Sequence, residues 1–493
     1  MTSIKISNLT FAYEGSYDDV FTNLNAEIDT SWKLGLVGRN GRGKTTLCRL
    51  LMGNYEYRGS ISLPVSCEYF PYQVPDSSAN AWQLADALGV EYQPWQLERE
   101  CRLLGMGGDV LERSLATLSM GEQTKLLLAI LFLRANSFLL IDEPTNHLDL
   151  AGRQVVGKYL KSKSGFILIS HDRAFLDSCI DHIMAINKTG IDIRQGNFST
   201  WEANKKQQDE WERAENARLQ QDIKRLAHAA QRSQQWSDQV EKSKFGQRPS
   251  GNKADRGYIG HQAAKMTKRA KAIANRQQAA LEEKSHLLKN IESADELKLI
   301  PAAYHSRRLA ELEQVSLFYG EKEVCRQLSF TIEQGDRIAL IGANGSGKST
   351  LLKLLCGQPI SHTGTCRLGS GLIISYLPQD TSFLRGSLSA FAVEHQLDET
   401  LLKSMLRKLD FPRTQFDKDM ASYSGGQKKK VLIAKSLCEQ AHLYIWDEPL
   451  NFVDIISRMQ LEKMILSYTP TMVLVEHDAS FCQQVATKKI VLK

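Results

Sequence analysis

Three short motifs occur twice along this chain, in one order and at nearly one spacing, and no other feature constrains the fold so tightly. Gly38-Arg-Asn40-Gly41-Arg-Gly43-Lys44-Thr45 recurs as Gly342-Ala-Asn344-Gly345-Ser-Gly347-Lys348-Ser349. Ile141-Asp142-Glu143-Pro144 recurs as Trp446-Asp447-Glu448-Pro449, and Ser170-His171-Asp172 as Glu476-His477-Asp478. Lys44 precedes Asp142 by 98 residues and Lys348 precedes Asp447 by 99; the Asp-to-His separations are 29 and 30. Self-similarity on that scale means two copies of one structural unit, expected over residues 1–200 and 306–493.

Each motif sits in a strand–loop–helix context. Trp32–Val37 and Arg337–Ile341 read as buried strands entering glycine-rich loops, with helices beginning at Lys44 and Lys348. The apolar runs Phe138–Ile141 and Phe166–Ile169 read as central parallel strands. The fold class is therefore α/β, with phosphate chemistry at the carboxyl ends of the strands. A glycine-rich loop at a helix N-terminus presents backbone N–H groups and a favourable dipole to an anion. Gly38, Asn40, Gly41 and Gly43, with Gly342, Asn344, Gly345 and Gly347, are expected to cradle the phosphates of ATP, and Thr46 and Thr350 lie beside them. Lys44 and Lys348 would reach the β/γ-phosphates, while the Thr45 and Ser349 hydroxyls would ligate Mg²⁺. Asp142 and Asp447 end buried strands, where Mg²⁺ offers the partner a carboxylate needs. Glu143 and Glu448 are placed to orient and deprotonate water, and His171 and His477 to contact the γ-phosphate.

The segment 201–305 differs in composition. It is rich in Gln, Lys, Arg, Glu and Ala, with Leu219, Ile223, Leu226 and Ala230 at helical spacing, then Ile273, Leu281, Leu288 and Ile291. Gly246, Pro249, Ser250, Gly251 and Gly257 interrupt it near 245–260. Two long helices folding back as an antiparallel pair are expected, each about 60 Å long at ~1.5 Å per residue. Between Lys242 and Arg276 ten basic residues stand against Asp255, +9 on 35 residues, whereas the whole chain is +6. So one-sided a run favours a nucleic-acid partner. Lys242, Lys244, Arg248, Lys253, Arg256, Lys265, Lys268, Arg269 and Lys271 are the candidate RNA contacts, with Phe245 and Tyr258 available for stacking. Packing of the turn between the helices is an equal role for either aromatic.

Other classes are excluded cheaply. The nine Cys are scattered without any C-x-x-C pair, against a zinc site, an iron–sulfur cluster or a disulfide framework, and in keeping with a reducing cytosol. The longest apolar stretch, Leu126–Leu133, falls far short of the roughly 20 residues a bilayer span needs. The N-terminus shows no signal-peptide pattern, so the protein reads as cytoplasmic with no membrane partner of its own.

Leu118-Ser119-Met120-Gly121-Glu-Gln123 and Tyr423-Ser424-Gly425-Gly426-Gln427 resemble the signature motif of ATP-binding cassettes, 75 and 76 residues after the loop lysines when counted to the serines. The resemblance implies a tandem pair of P-loop NTPase domains in which the signature of one repeat caps the nucleotide of the other. Lys44, Glu143 and His171 would then face Ser424–Gln427, and Lys348, Glu448 and His477 would face Ser119, Gly121 and Gln123. Tyr13 and Tyr319 match the family's adenine-stacking aromatic, and Tyr376-Leu-Pro-Gln379 its glutamine loop. The first copy of that loop reads Tyr69-Phe-Pro-Tyr72-Gln73, with Gln one position late, and Met120 replaces a signature glycine. Unequal sites are expected.

Asp142-Glu-Pro-Thr-Asn-His-Leu-Asp149, two complete cassettes and a charged helical linker together resemble the ABC-F family over essentially the whole chain. Gly35–Lys44, Asn146–Arg153, Gly196–Ser199 and Tyr444–Asn451 carry a likeness to its Lsa-type antibiotic-resistance subgroup. That resemblance implies an ATPase acting on the bacterial ribosome, with large-subunit rRNA and P-site tRNA as partners and no DNA. The linker would reach from the tRNA exit site toward the peptidyl-transferase centre and displace lincosamides, pleuromutilins and group A streptogramins, with hydrolysis driving release. It also implies a monomer whose two cassettes pair within the chain. An ABC-F translation factor without a resistance role stays open, as does a tandem ATPase subunit of an importer, although the gap before each signature is short for the latter. A chromosome or DNA-repair ATPase, which splits a single cassette with a coiled coil, fits two complete cassettes poorly.

Overall fold

The structure is a computed structural model that describes residues 2–492 except 15–18, 135, 147, 188–189, 243–260, 320–321 and 344. Between 262 and 295 it describes 264–265, 268–269, 271–273, 275–276 and 278–279. The chain divides into two compact units, one made of residues 1–199 with 294–493 and the other of residues 200–293.

In the first repeat, strands β1 (Ser3–Phe11), β2 (Phe21–Asp29) and β4 (Arg58–Ser62) form an antiparallel sheet in the order β2-β1-β4. Alternate residues of β1, among them Ile4, Ile6, Leu9 and Phe11, point into the core, as expected of a sheet with one wet face. The second sheet contains β3 (Lys33–Val37), β5 (Ser66–Phe70), β6 (Ser137–Asp142), β7 (Phe166–Ile169), β8 (His182–Ile186) and β9 (Ile191–Gln195), in the order β5-β6-β7-β3-β8-β9. Its strands run parallel except for the β8–β9 pair. β7 is buried along its whole length, because helices cover both faces of a parallel sheet.

The second repeat reproduces this plan. Strands β10 (Arg308–Tyr319), β11 (Lys322–Glu333) and β13 (His362–Leu368) form the antiparallel sheet β11-β10-β13. Strands β12 (Arg337–Ile341), β14 (Ile374–Leu377), β15 (Leu443–Asp447), β16 (Met472–Val475) and β17 (Lys488–Val491) form the parallel sheet β14-β15-β16-β12-β17. Register then decides what meets what. Asp142 pairs with Ile169 and Leu36 also pairs with Ile169, so the glycine loop, the acidic pair and the histidine leave the sheet at one edge. Asp447 and Leu340 pair with Val475 in the same way.

The boundary expected at residue 305 needs correction. Leu297, Leu299 and Tyr304 are buried, the two leucines in one core cluster of the second repeat and Tyr304 in the other. Three apolar side chains, each worth about 1.5–3 kcal/mol when buried, attach residues 297–304 to that repeat. The long helix of the linker spans Phe198–Lys242. Described residues within 261–279 are also helical, whereas the turn expected near 245–260 and the antiparallel pairing around it lie outside the described residues. Among the described residues no helix is long and apolar enough to cross a membrane.

Candidate functional site

Both glycine loops end in a residue that only glycine adopts readily. Gly43 and Gly347 cap the helices Lys44–Leu51 and Lys348–Leu355 in the left-handed region, at φ 87° and 83°. A Cβ on Gly43 would also lie 2.7 Å from the Phe21 ring and from Val20. The lysine amines fold back over their loops. Lys44 Nζ donates to the Gly38 carbonyl at 2.7 Å and Arg39 at 3.1 Å, and Lys348 Nζ to Gly342 at 2.8 Å and Ala343 at 2.9 Å. Thr45 and Ser349 open the two helices next to these lysines. Thr45 Oγ1 donates to Asp142 Oδ2 at 2.8 Å, and the Tyr69 hydroxyl donates to the same oxygen at 2.8 Å. Ser349 likewise bonds Asp447, whose Oδ1 is buried without a hydrogen-bond partner.

An orphaned carboxylate oxygen beside a hydroxyl fits one face of a Mg²⁺ ion, which takes one or two protein oxygens and completes its shell with water and substrate phosphate. Among the described residues no cluster of three His, Cys, Asp or Glu side chains competes as an all-protein metal site.

The acidic pair and the histidine converge as the spacing suggests. His171 Nε2 lies 3.4 Å from Glu143 Oε1, and His477 Nε2 lies 3.5 Å from Glu448 Oε1. Both glutamates are left-handed, at φ 51° and 47°, while their backbone N–H groups still bond the neighbouring strand at Ile169 and Val475. Strain of this kind collects at functional sites.

The repeats meet head to tail. A cavity of about 440 Å³ over Lys348 is lined by Ser349, Thr350, Gln379, Glu448 and His477, and by Met120, Asn146 and Arg153 of the first repeat. Arg153 Nη1 also donates to the His477 carbonyl at 3.3 Å. At the other site Asn40 Nδ2 donates to the Phe452 carbonyl at 2.9 Å, and a Cβ on Gly426 would lie 3.4 Å from that amide. Arg39 pairs with Asp410 at 3.7 Å. Sequence reading paired each glycine loop with the opposite signature; Asn146 and Arg153 lay in a quoted motif without a role in the other site, and Asp410 and Phe452 carried no motif that would have marked them.

The electrostatics of the two sites differ. Burial, then the charge of Asp142, pushes the Glu143 carboxyl up to about 8, against the pull of Arg458 and Lys44. Burial alone would raise Glu448 too, but the His477 hydrogen bond and charge, the Gln379 amide and Lys429 together bring it below its usual value. Gln379 Nε2 donates to Glu448 Oε2 at 2.8 Å, and Asn451 Nδ2 to the same oxygen at 2.5 Å. Burial and the charges of Lys44 and Arg458 hold His171 well below its ordinary range, so it is a neutral imidazole. Burial also lowers Lys44, opposed first by Asp454 of the other repeat.

One expectation for the signatures is corrected. Ser119 and Ser424 cap the helices Met120–Leu131 and Gly425–Cys438, each in a reciprocal capping box with the residue three positions on. That residue is Gln427 in the second repeat and Glu122 in the first. Gln123 is therefore one place too far: its Nε2 turns inward to the Leu115 and Leu118 carbonyls, both at 3.0 Å. Counting from the cap rather than matching the letter Q would have found Glu122. Gly121 matches Gly426, and Gly425 is replaced by Met120, whose side chain is 54 % exposed in the cavity wall. In the first glutamine loop the Tyr72 hydroxyl donates to the Leu127 carbonyl at 3.0 Å.

The adenine-side tyrosines are unequally visible. Tyr13 is partly exposed, with its hydroxyl 2.7 Å from Thr46 Oγ1 and its ring edge-on to Phe11. The Tyr319 side chain and Asn344 lie outside the described residues, as do Lys244, Phe245, Arg248, Lys253, Arg256, Tyr258 and the Lys242 side chain. Lys265, Lys268, Arg269 and Lys271 are helical and exposed.

The model of the ABC transporter family matches residues 21–146 and 325–451, together just over half of the chain. The ATP-binding protein Uup of Caulobacter vibrioides is 27% identical over 487 residues, covering 96% of this chain and 74% of that protein. The ribosome protection protein VmlR of Bacillus subtilis is 27% identical over 487 residues, covering 98% and 85%. The probable ATP-binding protein YheS of Escherichia coli is 28% identical over 502 residues, covering 92% and 74%. Among solved structures, an archaeal ribosome recycling factor, aABCE1, in complex with the stalk protein aP1, superposes with a TM-score of 0.61 over 95% of this chain and 84% of that one. At 18% identity that likeness establishes a shared tandem fold.

Proposed function

Since this chain belongs to the ABC transporter family and is an ATPase, we propose that it is an ABC-F protein of the Lsa-like kind that binds the bacterial ribosome and protects it from large-subunit antibiotics. The observation that carries the enzymatic half is the head-to-tail placement of Met120, Asn146 and Arg153 over the Lys348 loop. Each site is completed only when the two repeats close, so ATP acts as the clasp between them. Lys44 and Lys348 hold the β/γ-phosphates; Ser119, Gly121 and Ser424–Gln427 approach from across the interface. Glu143 and Glu448 orient the attacking water and accept its proton, and neutral His171 steadies the γ-phosphate. Thr45 with Asp142 and Ser349 with Asp447 would hold Mg²⁺, which would supply charge neutralisation on the phosphates. Loss of the γ-phosphate removes the clasp and lets the repeats part.

The ribosomal half of the reading is supported by two facts. VmlR, similar along 98% of this chain, bears the name of a ribosome protection protein. The run from Lys242 to Arg276 carries +9, as a partner rich in phosphate demands. On this reading the linker meets rRNA and P-site tRNA, the enzyme works in the cytoplasm, and closure of the repeats sets the affinity for the ribosome. A translation factor without a resistance role shares every one of these features except the drug phenotype.

One experiment separates them. The E143Q/E448Q double variant, given ATP, should co-sediment with 70S ribosomes, while the wild-type chain should be released as ATP is consumed. Expression of the wild-type chain should raise tolerance to lincomycin and tiamulin. A double variant that stays in the supernatant with ATP present ends the ribosomal reading. Retention on ribosomes with no change in tolerance assigns the chain to general translation.

A further inference from the structure

Lys429 is matched by a threonine in the first repeat, and its place in the second is unusual for a lysine. It lies in the helix Gly425–Cys438 with 2 % of its surface exposed, and its amine donates to the Pro378 carbonyl at 3.0 Å and the Asp447 carbonyl at 3.1 Å. Those two carbonyls directly precede Gln379 and Glu448, whose side chains are bonded to each other at 2.8 Å. One buried amine thus joins three elements: the signature helix, the end of β14 and the end of β15. The carboxylates of Glu476, Asp447 and Glu448 supply its counter-charge.

The same helix begins at the other nucleotide site. Ser424 caps it, and Gly426 lies against the Phe452 carbonyl and the Asn40 amide of the first glycine loop. Any shift of that helix end, as the Lys44 site closes on its nucleotide, is carried one turn along a rigid rod to Lys429 and so to Gln379 and Glu448. The matching residue of the first repeat is Thr124, whose hydroxyl bonds back to the Met120 carbonyl of its own helix at 2.9 Å. There Tyr72 donates to the Leu127 carbonyl and Tyr69 to Asp142, so the first repeat reaches its acidic pair through two hydroxyls and not through one buried amine.

We infer that Lys429 is a positioning residue that transmits closure of the Lys44 site to the hydrolytic glutamate of the Lys348 site, through a buried amine for which the first repeat has a threonine. This rests on the proposed roles of Glu143 and Glu448. ATP hydrolysis in the two single-site backgrounds tests it: E143Q leaves turnover to the Lys348 site, and E448Q leaves it to the Lys44 site. Lys429→Met keeps the stem and its packing while removing the donor. In E143Q it should lower kcat about tenfold with KM for ATP changed less than twofold; in E448Q kcat should change less than twofold. Lys429→Thr, the first-repeat residue, should give the same pattern.

Equal losses of kcat in both backgrounds, or none in either, overturn the inference. So does a K429M chain that has lost its helical circular dichroism, since the amine would then be serving the fold alone. An E143Q/E448Q double variant that still hydrolyses ATP at the wild-type rate would instead remove the glutamate assignment on which the coupling depends.

Discussion

Glu143 and Glu448 hold matching positions, yet their surroundings drive their protons in opposite directions, and that difference is measurable. A protonated carboxyl cannot accept a proton from water. Glu143, raised to about 8 by burial and Asp142, is therefore competent as a base above that pH and loses competence as pH falls through it. Glu448, brought down by His477, Gln379 and Lys429, keeps its charge to lower pH. The kcat profile of E448Q, which reports Glu143, should accordingly rise at higher pH than the profile of E143Q. Coincident profiles would mean that the two environments are equivalent during turnover. The residues that make this difference were only partly legible. Glu143 and Glu448 are readable because they follow a strand-ending Asp twice. Lys429 carries no motif, and only its burial against Pro378 and Asp447 gives it meaning.

At the scale of elements, the signature helix is fixed at its start by close backbone approach. A Cβ on Gly426 would stand 2.6 Å from the Phe452 carbonyl, a backbone atom that cannot swing aside, whereas one on Gly425 would meet only the Phe452 ring at 3.7 Å. Gly426→Ala should therefore cost about 1–3 kcal/mol as overpacking. Gly425→Ala should be neutral or stabilising by up to about 1 kcal/mol, through its gain in helix propensity. Urea melts of the two variants compare them directly; equal stabilities would show that Phe452 yields. Strands were the most legible elements, since a parallel strand covered on both faces must be apolar throughout. The linker boundary was the least legible. Leu297, Leu299 and Tyr304 lie in irregular chain, where no period announces burial.

For the whole molecule, the contact between repeats departs from twofold symmetry at a buried ion pair. Arg173, on the helix after His171, bonds Glu462, on the helix after Asp454, and both side chains are largely buried. The matching residues are Ala479 and Gly157, so the pair exists on one side of the pseudo-symmetric interface only. Removing one member leaves the other charge buried and should cost about 3–5 kcal/mol. Arg173→Met with Glu462→Met should cost less than the sum of the single changes. Additive losses in a double-mutant cycle of thermal stability would show that the two charges do not interact.

By itself the sequence determined that there are two α/β nucleotide-binding repeats, where the glycine-rich loops run into helices, and which Asp, Glu and His stand at the strand ends. These follow from local rules: a glycine run before a helix, an apolar run before an acidic pair, and a fixed spacing repeated. Tertiary structure alone decided which residues of one repeat enter the site of the other, and that burial and neighbours shift the two glutamates in opposite directions. Those outcomes depend on desolvation and on distances between residues hundreds of positions apart, and no local pattern encodes either.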